Sequence, residues 1–327
     1  MNAAKQRGLR MDELTAEDIP GLIELSASVG WDYHEAELAT LLTAGRVFGH
    51  RDDQGKVRSS AAIILYGETL ASIGMVIVHP ECRGMGLGKQ VTQACIDIAS
   101  SSALAKSLPG NSGTSEESGS GTAIRIKTVT EKASPSEETV LMLIATPEGK
   151  PMYESMGFVS VDCVHKYLCE AYQPPQRLRG PESDLSVQEL TGEHLEQVIR
   201  LDREAVGAER RRFLLHRIRQ AKKRVVLKGK DGAIVGYGLA VEGPVNIILG
   251  PIVAFDSQGA EQIVEELASG YRGRLRIDVP SGQEQFLAFL ERCGFQKAGQ
   301  PPIMIRNAEK LPERNGQLYA IAAQAFG

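Results

Sequence analysis

Ile73-Gly74-Met75-Val76-Ile77-Val78-His79-Pro80-Glu81-Cys82-Arg83-Gly84-Met85-Gly86-Leu87-Gly88-Lys89 is an apolar, β-branched run that breaks at His79-Pro80 into a glycine-rich turn and then opens a helix. Gly84, Gly86 and Gly88 free the backbone to aim successive N–H groups into one concavity, and the helix N-terminus behind them adds partial positive charge. A pyrophosphate suits such a cradle. Two familiar phosphate loops are excluded by spacing. A P-loop needs Gly, four residues, then Gly-Lys-Ser/Thr, whereas position 83 is Arg and Lys89 is followed by Gln90. A dinucleotide fingerprint needs GxGxxG after an early parallel strand, whereas residues 84–88 read GxGxG after a strand joined to its predecessors by tight turns.

Working outward, the pattern between Leu14 and Tyr167 predicts two helices, then strands near residues 46–51, 57–66 and 71–78. A helix over residues 86–99, a strand at 140–144, a short helix at 149–156 and a strand at 158–167 follow. Tight turns make the early strands antiparallel, and helices link the later ones, so the expected class is α/β with a mixed sheet.

The same order recurs. Leu14-Thr15-Ala16-Glu17 and Leu190-Thr191-Gly192-Glu193 each place a threonine N-cap before acidic residues. Arg46-Val47-Phe48 leads through Asp53 and Gly55 into a strand, as Arg224-Val225-Val226 does through Asp231-Gly232. Tyr153-Glu154-Ser155-Met156-Gly157-Phe158 is echoed by Leu290-Glu291-Arg292-Cys293-Gly294-Phe295. The first copy is the longer one, and its extra residues fall at about 100–138, a Ser-, Gly- and Thr-rich tract too polar to bury a core. Pro174-Pro175 and Gly180-Pro181 interrupt any regular element across 172–184. The expected organisation is therefore 1–171, a linker at 172–184, and a second copy at 185–327.

Arg83, Gly86 and Gly88, with Val78 and Pro80 ahead of them and the Tyr153-Glu154-x-x-Gly157-Phe158 block downstream, resemble the acetyl-CoA motif of the GNAT superfamily of N-acetyltransferases. The resemblance spans roughly residues 14–167. It implies two strands that splay apart to admit the pantetheine arm. Main-chain groups of Val76, Ile77 and Val78 would pair with that arm, and Arg83, Gly84, Met85, Gly86, Leu87, Gly88 and Lys89 would hold the pyrophosphate. For Arg83 a solvated charge and a phosphate contact are both open readings. The resemblance makes Tyr153 the general acid that protonates the departing thiolate, and Val78 the leading backbone donor to the acetyl carbonyl. Thr146, Gly149 and Met152 depart from the commonest family residues and alter a wall of the thiol pocket. Pro151 is tolerable only in the first turn of its helix.

The acceptor is expected to be a small-molecule amine. Trp31-Asp32-Tyr33 falls between the first two helices, where relatives of this type bind the acceptor, and a tryptophan beside an acid and a tyrosine suits a cationic amine. A helix-packing Trp31 and an N-capping Asp32 are equally open. His34, Glu68, His79 and Glu81 are candidate bases. The second copy has Asp256-Ser257-Gln258-Gly259-Ala260-Glu261 where the first has its glycine turn, so carboxylates crowd the phosphate position, and its counterpart of Tyr153 is Leu290. It reads as a degenerate copy that does not bind acetyl-CoA in the usual way. A non-catalytic acetyl-CoA sensor is the alternative reading, against which Tyr153 beside an intact glycine turn speaks.

Composition narrows the rest. Lys and Arg number 37 against 41 Asp and Glu, a formal charge of −4, so no chain-wide basic field attracts nucleic acid. Arg210–Arg212, His216, Arg217, Arg219, Lys222, Lys223 and Arg224 form one basic stretch, expected on a helix as a solvated face or a partner surface rather than for nucleic acid. No apolar run approaches the ~20 residues of a membrane span, and residues 1–10 lack a signal-peptide core. Five cysteines without a CxxC pair, Cys82 among them, argue for a reducing, cytoplasmic setting and no metal site.

Overall fold

The computed structural model describes residues 8–107, 138–175 and 185–327. The alternating and β-branched segments form the expected strands: β2 (Arg46–Arg51), β3 (Val57–Tyr66) and β4 (Leu70–Val78) run antiparallel in sequence. A strand absent from the sequence reading, β1 (Arg10–Leu14), precedes them and pairs antiparallel with β2. Thr15 and Thr191 both head capping boxes: Thr15 N donates to Asp18 Oδ2 at 2.7 Å, and Thr191 N donates to His194 Nδ1 at 3.1 Å. Helices α1 (Ile19–Ala27) and α2 (Glu35–Ala44) lie on one face of the sheet, and α3 (Leu87–Ser107) lies on the other. Helix α3 runs past residue 99, where the polar tract was expected to begin. The rest of that tract lies outside the described residues, as does most of the expected linker.

β5 (Val140–Ile144), α4 (Lys150–Ser155) and β6 (Val159–Cys169) complete the first half. The second repeats the order with β7 (Ser186–Glu189), α5 (Leu195–Val206), α6 (Arg211–Gln220), β8 (Ala221–Lys228), β9 (Ile234–Glu242), β10 (Ile247–Ala254), α7 (Ser257–Ala268), β11 (Leu275–Pro280) and α8 (Glu284–Arg292). It ends with β12 (Gln296–Gly299), β13 (Pro302–Arg306) and β14 (Leu318–Ala320). The class is the expected one, two α/β lobes in tandem.

The two halves exchange strands. The front sheet runs β1-β2-β3-β4-β5-β13-β6, so a strand from the rear half sits between β5 and β6. Conversely, the second part of β6 pairs with β11 on one side and β12 on the other, and serves as a strand of the rear sheet. Leu22, Leu38 and Met75 of the front half share one apolar core with Val198, Phe213 and Tyr237 of the rear. Helices α2 and α6 meet there, with Gln220 Nε2 donating to Ala36 O at 2.8 Å and Thr40 Oγ1 donating to Gln220 Oε1 at 2.9 Å. Separate cores lie behind each sheet, around Val91, Cys95 and Tyr153 in front and around Ile263, Phe286 and Phe289 at the rear.

The basic stretch corrects an expectation. Helix α6 ends at Gln220, so Lys222, Lys223 and Arg224 lie on β8. Arg210 and Arg217 are buried rather than solvated. Arg210 Nε and Nη2 each reach the Asp202 carboxylate at 2.8 Å, and that carboxylate holds the guanidinium more firmly protonated than usual. Arg217 is wholly buried against the Phe326 ring, 5.0 Å from its centroid, and burial pushes it down to about 10. A guanidinium pays for burial with a fixed carboxylate or an aromatic face, and neither partner is visible in linear sequence.

Candidate active site

β4 and β5 pair in parallel from Leu70–Val140 to Ile73–Leu143, after which β4 continues through Val78 while β5 stops at Ile144. The front sheet therefore opens beside residues 74–78. A bulge lies in the same stretch: the β3 register shifts between Ser60 and Ala62, Met75 takes a left-handed φ of 52°, and Ser60 Oγ donates to Met75 O at 2.9 Å. His79 N donates to Arg58 O at 2.9 Å. Strand alternation then turns the main chain of Ile77 toward β3 and that of Val78 and Val76 toward the open edge. Ser60 and the bulge carried no signal in the sequence, because a bulge is defined by its partner strand.

The glycine turn lies at the mouth of this opening. Gly84 and Gly86 have φ of 74° and 79°, a region that favours glycine, and α3 begins directly at Leu87. A Cβ on Gly88 would come 3.1 Å from Met152 Sδ and 3.3 Å from Val78 Cγ2, so the third glycine lets α3 close on β4 and α4. Arg83 and Lys89 are exposed, and among the described residues Arg83 has no ion-pair partner. Met85 and Leu87 bury their side chains, which leaves their backbone as the part available to a ligand. His50, unmarked in the sequence reading, braces the turn from below through Ser59 Oγ at 2.7 Å and Gln90 Oε1 at 3.0 Å.

Tyr153 is 6% exposed, with its ring 6.0 Å from Phe158 edge to face and packed on Gly149, where a Cβ would lie 3.0 Å from Tyr153 Cε2. Burial raises the phenol above its ordinary pKa, so it stays protonated at neutral pH. Thr146 Oγ1 accepts from Gly149 N at 3.1 Å and so starts α4, and Pro151 lies in the first turn of that helix as required.

On the opposite face, Ser26 Oγ donates to Trp31 O at 3.0 Å and accepts from Tyr33 N at 3.1 Å, clamping the loop between α1 and α2. The Trp31 and Tyr33 rings are 6.1 Å apart and lean on the shared core, while Asp32 is exposed. The Tyr33 hydroxyl is raised, first by burial, and it feels the charges of Glu37, Arg276 and Asp32 and the Tyr153 phenol. The loop lies on the core that both halves share. His34 caps α2 and lies 3.5 Å from the buried Glu37 carboxylate, which raises the imidazole. His79 and Glu81 belong to the turn after β4, 3.8 Å apart. Glu68 precedes β4 at the end away from the opening and is not brought to the site. Cys82 is a free, partly exposed thiol in the turn.

The rear lobe has the same opening, and its own chain fills it. β10 and β11 pair only from Ile247–Leu275 to Leu249–Ile277. Beyond that point β14 lies between them, pairing Ile252 with Ala320 and Val253 with Leu318, while Ile321 N donates to Asp278 O at 2.9 Å. Asp256 caps α7 by accepting from Gly259 N at 2.8 Å, so a carboxylate already holds the helix N-terminus.

The comparisons agree with this geometry. The Acetyltransferase (GNAT) family pattern matches residues 14–113, and a second Acetyltransferase (GNAT) domain pattern matches residues 198–320. The uncharacterized N-acetyltransferase YitH of Bacillus subtilis (strain 168) is 33% identical over 316 residues, covering 96% of this chain and 97% of that protein. The chain belongs to the GNAT family of acetyltransferases. It is a tandem GNAT acyltransferase, and the proteins of this family use acetyl-CoA as cosubstrate. Among solved structures, a putative acetyltransferase from Pyrococcus horikoshii matches with a TM-score of 0.70 at 17% identity, covering 98% of this chain and 96% of its own. A tandem GNAT protein from the clavulanic acid biosynthesis pathway matches with a TM-score of 0.62 at 13% identity, covering 92% and 99%. At these identities the likeness shows the fold alone, over most of the chain. No helix among the described residues is long and apolar enough to cross a membrane.

Proposed function

We propose that this GNAT protein moves an acetyl group from acetyl-CoA to the nitrogen of a small primary amine, and that the front lobe alone carries the reaction. One observation supports the assignment above the others: among the described residues no strand pairs with β4 on its β5 side beyond Ile73, whereas the rear counterpart is occupied by β14. The lobes are assigned as residues 1–171 and 185–327 with a linker between, each borrowing a strand from the other. Acetyl-CoA would supply the acetyl thioester.

Gly84, Met85, Gly86, Leu87, Gly88 and Lys89 would hold the pyrophosphate through backbone N–H groups and the α3 N-terminus, with Arg83 beside them. Val76 and Val78 would pair with the pantetheine arm, and their amides, Val78 foremost, would donate to the acetyl oxygen as it gains charge. Ile77 serves by anchoring β4 to β3. Trp31, Asp32 and Tyr33 would receive the amine on the other face, whose lone pair attacks the carbonyl carbon directly. As the carbon–sulfur bond breaks, Tyr153 gives its proton to the sulfur. Burial weakens the phenol as an acid, but the same dry surroundings make the nascent thiolate a stronger base.

The test is Tyr153→Phe, which keeps the ring on Gly149 and removes only the hydroxyl. Thiol release from acetyl-CoA should show kcat lower by roughly 10²–10⁴, with CoA affinity by calorimetry within about twofold. Full kcat in the variant would remove Tyr153 from the mechanism.

A further inference from the structure

β6 passes from the front sheet to the rear, and its Val164 joins the core shared by both halves while Tyr167 and Cys169 join the core behind the rear sheet. Alternation therefore puts Lys166 and Leu168 on the face that carries the Trp31–Tyr33 loop. Their partners on β11 are Asp278 and Arg276, side by side on that face. Asp278 is fully buried, and both its oxygens are engaged. Arg276 donates to Oδ2 from Nε at 2.9 Å and from Nη2 at 2.8 Å, and Gln324 Nε2 donates to Oδ1 at 2.8 Å.

Lys166 is left over. It is half-buried, and among the described residues its ammonium has no hydrogen-bond or ion-pair partner. Burial, followed by the Arg276 charge, lowers its pKa, with Asp278 and Asp32 opposing. Asp278 is spent on Arg276 and Gln324, and a desolvated ammonium without a hydrogen-bonded partner is costly to keep unless something anionic meets it. The registers Ile73–Leu143, Ile144–Ile303 and Pro302–Cys163 bring β6 past the end of β5 near Cys163, so Lys166 lies at the same end of the sheet as Val78, with β5 and β13 ordered between their strands. Three strand spacings are about 14 Å. A lysine side chain bent toward the opening shortens that by at most its own length, about 6 Å, which leaves at least about 8 Å to β4.

We propose that the acceptor is an amine bearing a carboxylate several bonds away, held by Lys166 with Arg276 beside it while the amine reaches the opening past Tyr33. Asp32 at the exposed rim complements the ammonium form of the incoming amine. This rests on the acetyl-transfer reading and adds the substrate class to it. The span selects an ω-amino acid over an α-amino acid, whose charges lie too close together to reach both sites.

The experiment measures thiol release from acetyl-CoA with matched acceptor pairs, 6-aminohexanoate against hexylamine and 4-aminobutanoate against butylamine, together with glycine. The native protein should favour 6-aminohexanoate over hexylamine by tenfold or more in kcat/KM, chiefly through KM, and should use glycine poorly. Lys166→Met should bring that ratio toward one by raising KM for the amino acid, and Lys166→Arg should restore much of it. Lys166 is the residue to change because it holds no partner among the described residues, whereas replacing Arg276 would strip a buried carboxylate. Equal use of both acceptors by the native protein, or a ratio that Lys166→Met leaves unchanged, overturns the carboxylate site while acetyl transfer stands. Thiol release with no amine at all, despite CoA binding by calorimetry, overturns the transfer reading and this inference with it.

Discussion

Residues 318–327 cross the whole molecule, and Gly74 tests what holds them. After β14 the chain passes over Gly250, where a Cβ would overlap the Ile321 carbonyl, and then over Gly74, where a Cβ would overlap the Ala325 carbonyl and lie 3.0 Å from its carbon. Gly74→Ala thus meets backbone, which cannot swing aside as a side chain does. If the segment shifts only locally, the cost is that of overpacking, about 1–3 kcal/mol. If it lifts further, Phe326 leaves a fully buried position 5.1 Å from the Phe213 ring, a change of the size of a core Phe→Ala, about 3–5 kcal/mol. The 2.6 Å hydrogen bond from Tyr66 Oη to Phe326 O would go with it, as would the Arg217 contact to Ala322 O at 3.4 Å. Partial displacement gives an expected loss of about 2–4 kcal/mol. For a chain of this size that lowers Tm by roughly 3–6 °C. Denaturant and thermal unfolding read it, with Gly192→Ala as control, since a Cβ there meets nothing within 4 Å. Alanine at 192 should be neutral or slightly stabilising. Gly74→Ala within about 0.5 kcal/mol of that control would refute the packing argument.

Arg210→Met should cost about 3–5 kcal/mol, because it leaves the buried Asp202 carboxylate with its charge uncompensated. A loss under about 1 kcal/mol in denaturant unfolding would contradict the burial described. His50 gives a pH dependence with a definite sign. Burial lowers its folded pKa, so above about 6.5 the imidazole is neutral in both states, and below it the unfolded chain takes the proton first. Stability contributed by the neutral ring should therefore fall as pH drops below about 6.5 toward the lower folded value, and His50→Asn should flatten that part of the curve from unfolding at pH 5.0–7.5.

Features governed by neighbours in sequence were legible. The turn at residues 84–88, the helix that follows it, the threonine caps and Pro151 in a first turn all depend on local backbone chemistry, and each is found as read. The carboxylate at the helix start of the second copy was legible too, whereas the strand beside it was not. Asp256 is visible as a capping carboxylate, but the strand that fills the rear opening lies some sixty residues further on.

The sequence by itself determined the repeated α/β order, the family motif and Tyr153, because periodicity, glycine conformation and capping act over a few residues. Tertiary structure alone decided which strands pair across the two halves, which arginines are buried, and that Lys166, Arg276 and Tyr33 share one face. β6 and β13 carry apolar patterns that suit either sheet. Their partners follow from docking two lobes over one core, a free-energy term summed over residues more than a hundred positions apart.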